Sequence, residues 1–272
     1  MQAENTKISI DFLSRYDILD GTIAIVVARD GRLLCVCLRP RGKFKMERFL
    51  LYIEKKFDGW KCILLIPLYL LFYLPCFFWL DLTDRGHYYV IHMALDDKIP
   101  FCEYFVIFYY LWFVYVVFAV GYNVFTDRET YFKSLGFIIF GMTLFIVISA
   151  LFPNSHDLRP AIYPRDNIYT TLIWMIQSFD TPTNVFPSIH VYNAIGAHFA
   201  IIYNQKLKNN AMVRGISFFI CFGICLSTVF LKQHSVMDVI GAITLAAIMY
   251  PVFFREEYRA LTAERKERRA RA

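Results

Sequence analysis

Residues 134–152 read SLGFIIFGMTLFIVISALF, a run without a single Asp, Glu, Lys, Arg or His. A helix needs about 20 residues to cross roughly 30 Å of hydrocarbon, and this stretch has the length and the character to do so. Immediately upstream, residues 101–123 (FCEYFVIFYYLWFVYVVFAVGYN) form a second such block. Working outward, four more apolar blocks fall at 61–80, 187–204, 213–231 and 236–254. The weakest is 187–204 (PSIHVYNAIGAHFAIIYN), which carries two histidines. The composition agrees: 57% of the 272 residues are hydrophobic and only 19% charged, where a soluble domain carries about a quarter. The pattern predicts an all-α integral membrane bundle of about six transmembrane helices.

Charge fixes the expected topology. Lys55, Lys56 and Lys61 precede the first block, and Arg128 and Lys133 separate the second from the third. Lys206, Lys208 and Arg214 separate the fourth from the fifth, and a basic run from Arg255 to Arg271 follows the sixth. With six spans all of these fall on one side, which the positive-inside rule makes cytoplasmic. The net charge of +6 therefore belongs to membrane topology, and no nucleic-acid partner is expected. The expected location is the cell membrane, multi-pass, with both termini inside.

Three regions follow: an N-terminal cytoplasmic segment 1–59, a membrane domain 60–254 and a basic cytoplasmic tail 255–272. Within the first, Asp30-Gly31 between two apolar runs is a hairpin signal. A translation start at Met46 would leave residues 1–45 untranslated. Residues 167–179 (NIYTTLIWMIQSF) are too few to span, and their helical apolar spacing predicts an amphipathic helix in the outer interface. The seven cysteines form no metal-site spacing and imply no disulfide framework or zinc site. No cofactor is expected.

Three short stretches carry chemistry: Leu158-Arg159-Pro160, Phe186-Pro187-Ser188-Ile189-His190, and Lys232-Gln233-His234-Ser235-Val236-Met237-Asp238. His190 and His234 are separated by one helical hairpin, so they lie on the same side of the membrane, and Arg159 joins them there. By charge, that side is the outer one. His234 and Asp238 are four apart at a helix start, on one face. A carboxylate so placed fixes the imidazole tautomer and frees the other nitrogen for attack. Arg159 offers a planar fork for phosphate oxygens, Lys232 a point charge, and His190 an acid for a leaving oxygen. Each residue alone has a plainer reading, as interfacial decoration or a helix cap. Their convergence on one face points to phosphoryl transfer.

The set resembles the type 2 phosphatidic acid phosphatase superfamily, whose pattern is Lys-x6-Arg-Pro, Pro-Ser-Gly-His and Ser-Arg-x5-His-x3-Asp. Arg159-Pro160 matches the end of the first motif, Pro187-Ser188-Ile189-His190 the second except at Ile189, and Ser227, His234 and Asp238 the third. Phe152 stands where the family has its lysine, and Thr228 where it has the third-motif arginine. The departures resemble the branch containing inositol phosphorylceramide synthases. The resemblance implies His234 as phosphohistidine nucleophile, Asp238 as its partner and His190 as general acid. It also implies Arg159 and Ser188 as phosphate binders, with Lys232 standing in for a missing cation. The expected activity is a metal-independent lipid-phosphate phosphatase at the outer face, its partners a lipid phosphate substrate and the surrounding lipids. Two alternatives are a lipid phosphotransferase and a non-catalytic lipid-phosphate binder or transporter.

Overall fold

The computed structural model describes residues 23–29, 32–38, 52–57, 59–260 and 263. The chain divides into two compact units, Met1–Lys45 and Met46–Ala272. In the first, strands β1 (Ile23–Arg29) and β2 (Arg32–Leu38) pair antiparallel, with Arg29 opposite Arg32. This is the hairpin expected around Asp30-Gly31, although those two residues lie outside the described set. So does the tail beyond Ala260, apart from residue 263.

The second unit is a helical bundle. Its helices are α1 (Leu65–Leu82), α2 (Val106–Thr126), α3 (Arg128–Leu151), α4 (Ile168–Phe179), α5 (Ile189–Ile202), α6 (Ala211–Phe230) and α7 (Val236–Phe253). Among the described residues, five helices are long and apolar enough to cross a membrane: α1 and α2 with their 3₁₀ lead-ins, α3, α6 and α7. The fourth apolar block is different. Its helix, α5, has 14 residues, or about 21 Å of rise. It packs against α2, α3, α6 and α7 at once. Shortness is tolerable there, because backbone that leaves helical form at membrane depth must be buried in protein. The face of α5 formed by Val191, Ala194, Ala197 and Ala200 is fully buried. Such small side chains let the neighbouring helices come close.

Two glycines make close approaches possible. A Cβ on Gly141 of α3 would stand 2.0 Å from the ring of Tyr192. That ring stacks on Phe137 at 4.4 Å and donates its hydroxyl to the Phe137 carbonyl. A Cβ on Gly241 of α7 would stand 2.5 Å from the ring of Phe186, so Gly241 seats the segment leading into α5.

The two ends of the bundle differ. At one end, Lys133 pairs with Glu257 at 3.0 Å and Arg128 donates to the Phe57 carbonyl, gathering the basic flanks. At the other, three loops are sewn together. Strands β3 (Tyr89–Val90) and β4 (Asn154–Ser155) pair in parallel, and Ser155 bridges Thr183. The side-chain oxygen of Asn154 accepts from the backbone of Val185 and Phe186. These ties place the loop bearing Arg159 beside the start of α5.

The short helix α4 begins with Asn167 in a capping box. It packs through Ile173, with Leu172 and Ile176 alongside, and leaves Ile168, Trp174, Met175 and Phe179 exposed. An exposed apolar face on a helix of this length suits the bilayer interface.

Candidate active site

Ser188 caps α5: its hydroxyl accepts from Val191 N–H, and its own N–H donates to the Asp238 carbonyl at 3.2 Å. The cap ties the α5 start to α7 and sets His190 in the first turn. The His190 ring lies between Tyr109 and Trp112 of α2, with centroids 4.6 Å from each. Aromatic contacts on both sides hold the imidazole in one orientation. Its Nδ1 stands 3.4 Å from His234 Nε2.

His234 closes the α6–α7 turn, its N–H bonded to the Thr228 carbonyl. Its Nδ1 stands 3.3 Å from Asp238 Oδ2, one turn into α7. That same oxygen accepts the Ser235 N–H at 3.0 Å, forming a capping box. Asp238 Oδ1 is buried without a partner among the described residues. With Nδ1–H directed at the carboxylate, Nε2 carries the lone pair. Burial, helped by the charge of Arg159 and partly opposed by the Val185 carbonyl, pushes the His234 pKa down to about 3. The ring is therefore neutral near pH 7, as a nitrogen nucleophile must be.

Arg159 is held by two hydrogen bonds, NH1 to the Asp180 carbonyl at 2.7 Å and NH2 to Gln233 Oε1 at 3.0 Å. Its Nε is buried and lacks an acceptor among the described residues. Gln233, the residue before His234, thus couples the arginine to the histidine turn. Burial lowers the arginine's pKa from its usual value while Asp180 pulls the other way, yet a guanidinium keeps its charge in either case.

Lys232 sits in the left-handed region at φ 57°. Its Nζ donates to the Asp96 carbonyl at 2.6 Å, so it is engaged with the loop after α1 and makes no hydrogen bond to either histidine among the described residues. The expectation that Lys232 meets phosphate finds no support in this placement. Asp96 itself was not legible as a site residue. It is 2% exposed, accepts from Ser235 Oγ at 2.6 Å and from Val236 N–H at 2.8 Å, and so anchors the N-terminus of α7. Its partners lie about 140 positions away in the chain, and no local pattern announces them. Tyr109, Trp112 and Gln233 escaped for the same reason.

The structure thus brings His190, His234, Asp238, Arg159 and Ser188 to one end of the bundle. His198, two turns further along α5, bonds Ser217 of α6 at 2.8 Å instead. His92, in the loop after α1, pairs with Asp97 and Asp157. Chemically, the cluster offers an oriented neutral imidazole, a second imidazole beside it and a buried guanidinium.

Residues 134–260, which include all five of these side chains, match the PAP2 superfamily. Neither the curated proteins nor the solved structures contain a match to this chain. The family match points to a phosphatase or phosphotransferase acting on phosphate esters.

Proposed function

We propose that this chain is a membrane-embedded phosphatase that hydrolyses lipid phosphates through a phosphohistidine at His234. The observation that carries the reading is the His234–Asp238 contact at 3.3 Å, within a segment that matches the PAP2 superfamily. In this reading His234 Nε2 attacks phosphorus and the P–O bond to the leaving group breaks. His190 passes a proton to the departing oxygen. Water then gives a proton back to His190 as it attacks phosphorus, and the N–P bond breaks. Arg159 and the start of α5 at Ser188 hold the phosphoryl oxygens, supplying the charge stabilisation on which phosphoryl transfer depends. The buried Nε of Arg159, a donor without an acceptor among the described residues, fits a site completed by a phosphate oxygen.

The site lies at the end of the bundle opposite the basic flanks. By the positive-inside rule that end faces outward, with both termini in the cytoplasm of a cell-membrane protein. The exposed apolar face of α4 beside the site lets a headgroup enter while its tails stay in lipid. Lys232 serves in this account as a brace on Asp96.

The test is phosphate release by purified protein from a panel of lipid phosphates with EDTA present. The expected result is release by the wild type, lost in His234→Ala and cut by about 10³- to 10⁴-fold in Asp238→Asn, on the precedent of Asp-oriented catalytic histidines. Full activity in His234→Ala, or loss of wild-type activity to EDTA, would contradict it. A phosphoryl group carried to an added lipid alcohol or polyol, with no phosphate released, would reassign the chain as a phosphotransferase.

A further inference from the structure

At the end of the bundle opposite the histidine cluster, α5 and α6 border a cavity of about 480 Å³ lined by His198, Ile202, Ala211, Arg214, Gly215 and Phe218. Ile202 is the last residue of α5 and Ala211 the first of α6, so the cavity lies at the basic end. His198 is eight residues beyond His190, about 12 Å along the helix, which keeps this space apart from the site above.

Small residues leave the room. Ala211 and Gly215 are four apart on α6, and a Cβ added at Gly215 would meet nothing within 4 Å. The polar wall is fixed from behind. His198 Nδ1 stands 2.8 Å from Ser217 Oγ, which in turn stands 2.7 Å from the Tyr115 hydroxyl, and both Ser217 and Tyr115 are buried. Ionisable side chains on spanning helices face the bundle interior or a polar cavity, and here His198 shares the cavity with Arg214.

The charge has one sign. No lining residue is acidic. Arg214 is exposed, and its hydrogen bond from NH1 to the Lys208 carbonyl is long at 3.5 Å. Lys206 and Lys208, both exposed, stand on the adjoining loop. The opposite rim is apolar. The Phe218 ring meets His198 at 6.0 Å, Phe222 stacks on Phe218 at 6.1 Å, and both phenylalanines are exposed along α6. A cation at the helix end, with aromatic rings leading from it towards mid-membrane, is complementary to an amphiphile with an anionic head. Basic pockets between spanning helices take such headgroups, whereas a soluble anion would leave the apolar rim unused.

We propose that this cavity binds an anionic phospholipid, its phosphate at Arg214 and His198 and an acyl chain along Phe218 and Phe222. By the positive-inside rule this lipid belongs to the cytoplasmic leaflet, opposite the face proposed for catalysis. It is a bound ligand of the α5–α6 hairpin, with no bond made or broken.

The test titrates delipidated full-length protein with phosphatidylglycerol in phosphatidylcholine–detergent micelles and counts bound lipid by native mass spectrometry. Phosphatidylglycerol is a phosphodiester, which keeps it from serving as a monoester substrate at the histidine cluster. Arg214→Gln removes the charge, Gly215→Leu fills the cavity at constant charge, and Lys208→Gln removes a charge outside the lining. Leucine is a better helix former than glycine, so Gly215→Leu keeps α6 intact. The wild type is expected to prefer phosphatidylglycerol to phosphatidylcholine. Its affinity should fall about 10- to 100-fold in Arg214→Gln, the range of one hydrogen bond to a charged group. It should fall about as far in Gly215→Leu and stay within about threefold of wild type in Lys208→Gln, an exposed charge. No preference in the wild type would overturn the proposal. So would equal losses in Arg214→Gln and Lys208→Gln, the mark of diffuse attraction to a basic surface, or undiminished binding in Gly215→Leu. Displacement of the lipid by millimolar inorganic phosphate would make this a soluble-anion site and overturn it as well. Each of these outcomes leaves the His234 reading standing.

Discussion

His234 Nε2 stands 3.4 Å from His190 Nδ1, so in the resting site the two imidazoles meet ring nitrogen to ring nitrogen. In the proposed mechanism an arriving phosphoryl group meets His234 as nucleophile and His190 as proton donor. This separation of tasks makes the importance of His190 depend on the leaving group. His190→Ala is expected to lower turnover of a lipid phosphate by about 10²- to 10⁴-fold. With an aryl phosphate such as p-nitrophenyl phosphate, whose leaving oxygen needs no proton, the loss in kcat/KM, which reports the phosphorylation step, should be much smaller, although the water step shared by both substrates is slowed in each case. Comparing kcat/KM on the two substrates checks this, and equal losses would deny His190 its role as acid.

Asp238 has two structural duties on one oxygen, capping α7 through Ser235 N–H and orienting His234. They can be separated. Ser235→Ala removes the reciprocal cap and its bond to Asp96; losing a cap typically costs about 0.5–2 kcal/mol of stability. Asp238→Asn keeps a cap acceptor but spoils the tautomer control. Thermal unfolding should therefore be hit harder in Ser235→Ala, and kcat harder in Asp238→Asn. Parallel effects in the two variants would argue that Asp238 only caps.

Lys232 and Asp96 tie the loop after α1 to the α6–α7 turn. Lys232→Met should lower thermal stability, since the Asp96 carbonyl loses its partner, at a cost of about 1–3 kcal/mol for a part-buried acceptor. Orthovanadate affinity should change less than in Arg159→Lys, which loses the planar fork. A drop in vanadate affinity matching that of Arg159→Lys would return Lys232 to the phosphate site.

Both His156 and His234 have pKa values pushed from 6.5 to about 3 by burial. A histidine depressed in the fold binds its proton more readily when unfolded. Its neutral form therefore favours the native state above pH 6.5, and that contribution drains away as pH falls from about 6.5 towards 3. Each such histidine adds about 1.4 kcal/mol per pH unit to the slope of stability in that window. Denaturation in detergent across pH 4–6.5 should be steeper for wild type than for His156→Gln. Identical slopes would show that His156 titrates normally.

Much of this fold was legible because membrane spans write themselves locally. The run at 134–152 became α3, and the Asp-Gly signal marked the β1–β2 hairpin. Residues 187–204 were read at full span length, yet helix α5 occupies only Ile189–Ile202. Hydropathy alone cannot tell a lipid-facing span from a short helix enclosed by four others. The site divides in the same way. The i,i+4 spacing of His234 and Asp238 is a local feature, and the structure realises it. Lys232 reads as a phosphate ligand in sequence because it is two residues from His234; that its Nζ donates to the Asp96 carbonyl of a distant loop has no local signal.

The central claim is a covalent phosphate on His234. The most direct measurement is to quench purified protein under alkaline conditions during turnover of a lipid phosphate and to locate the phosphoryl group by peptide mass spectrometry. The account predicts a base-stable, acid-labile phosphoramidate on His234, absent in His234→Ala and accumulating where the water step is slowed, as in His190→Ala with an aryl phosphate. Turnover without any phosphoenzyme, or a phosphoryl group carried by another residue, would contradict it.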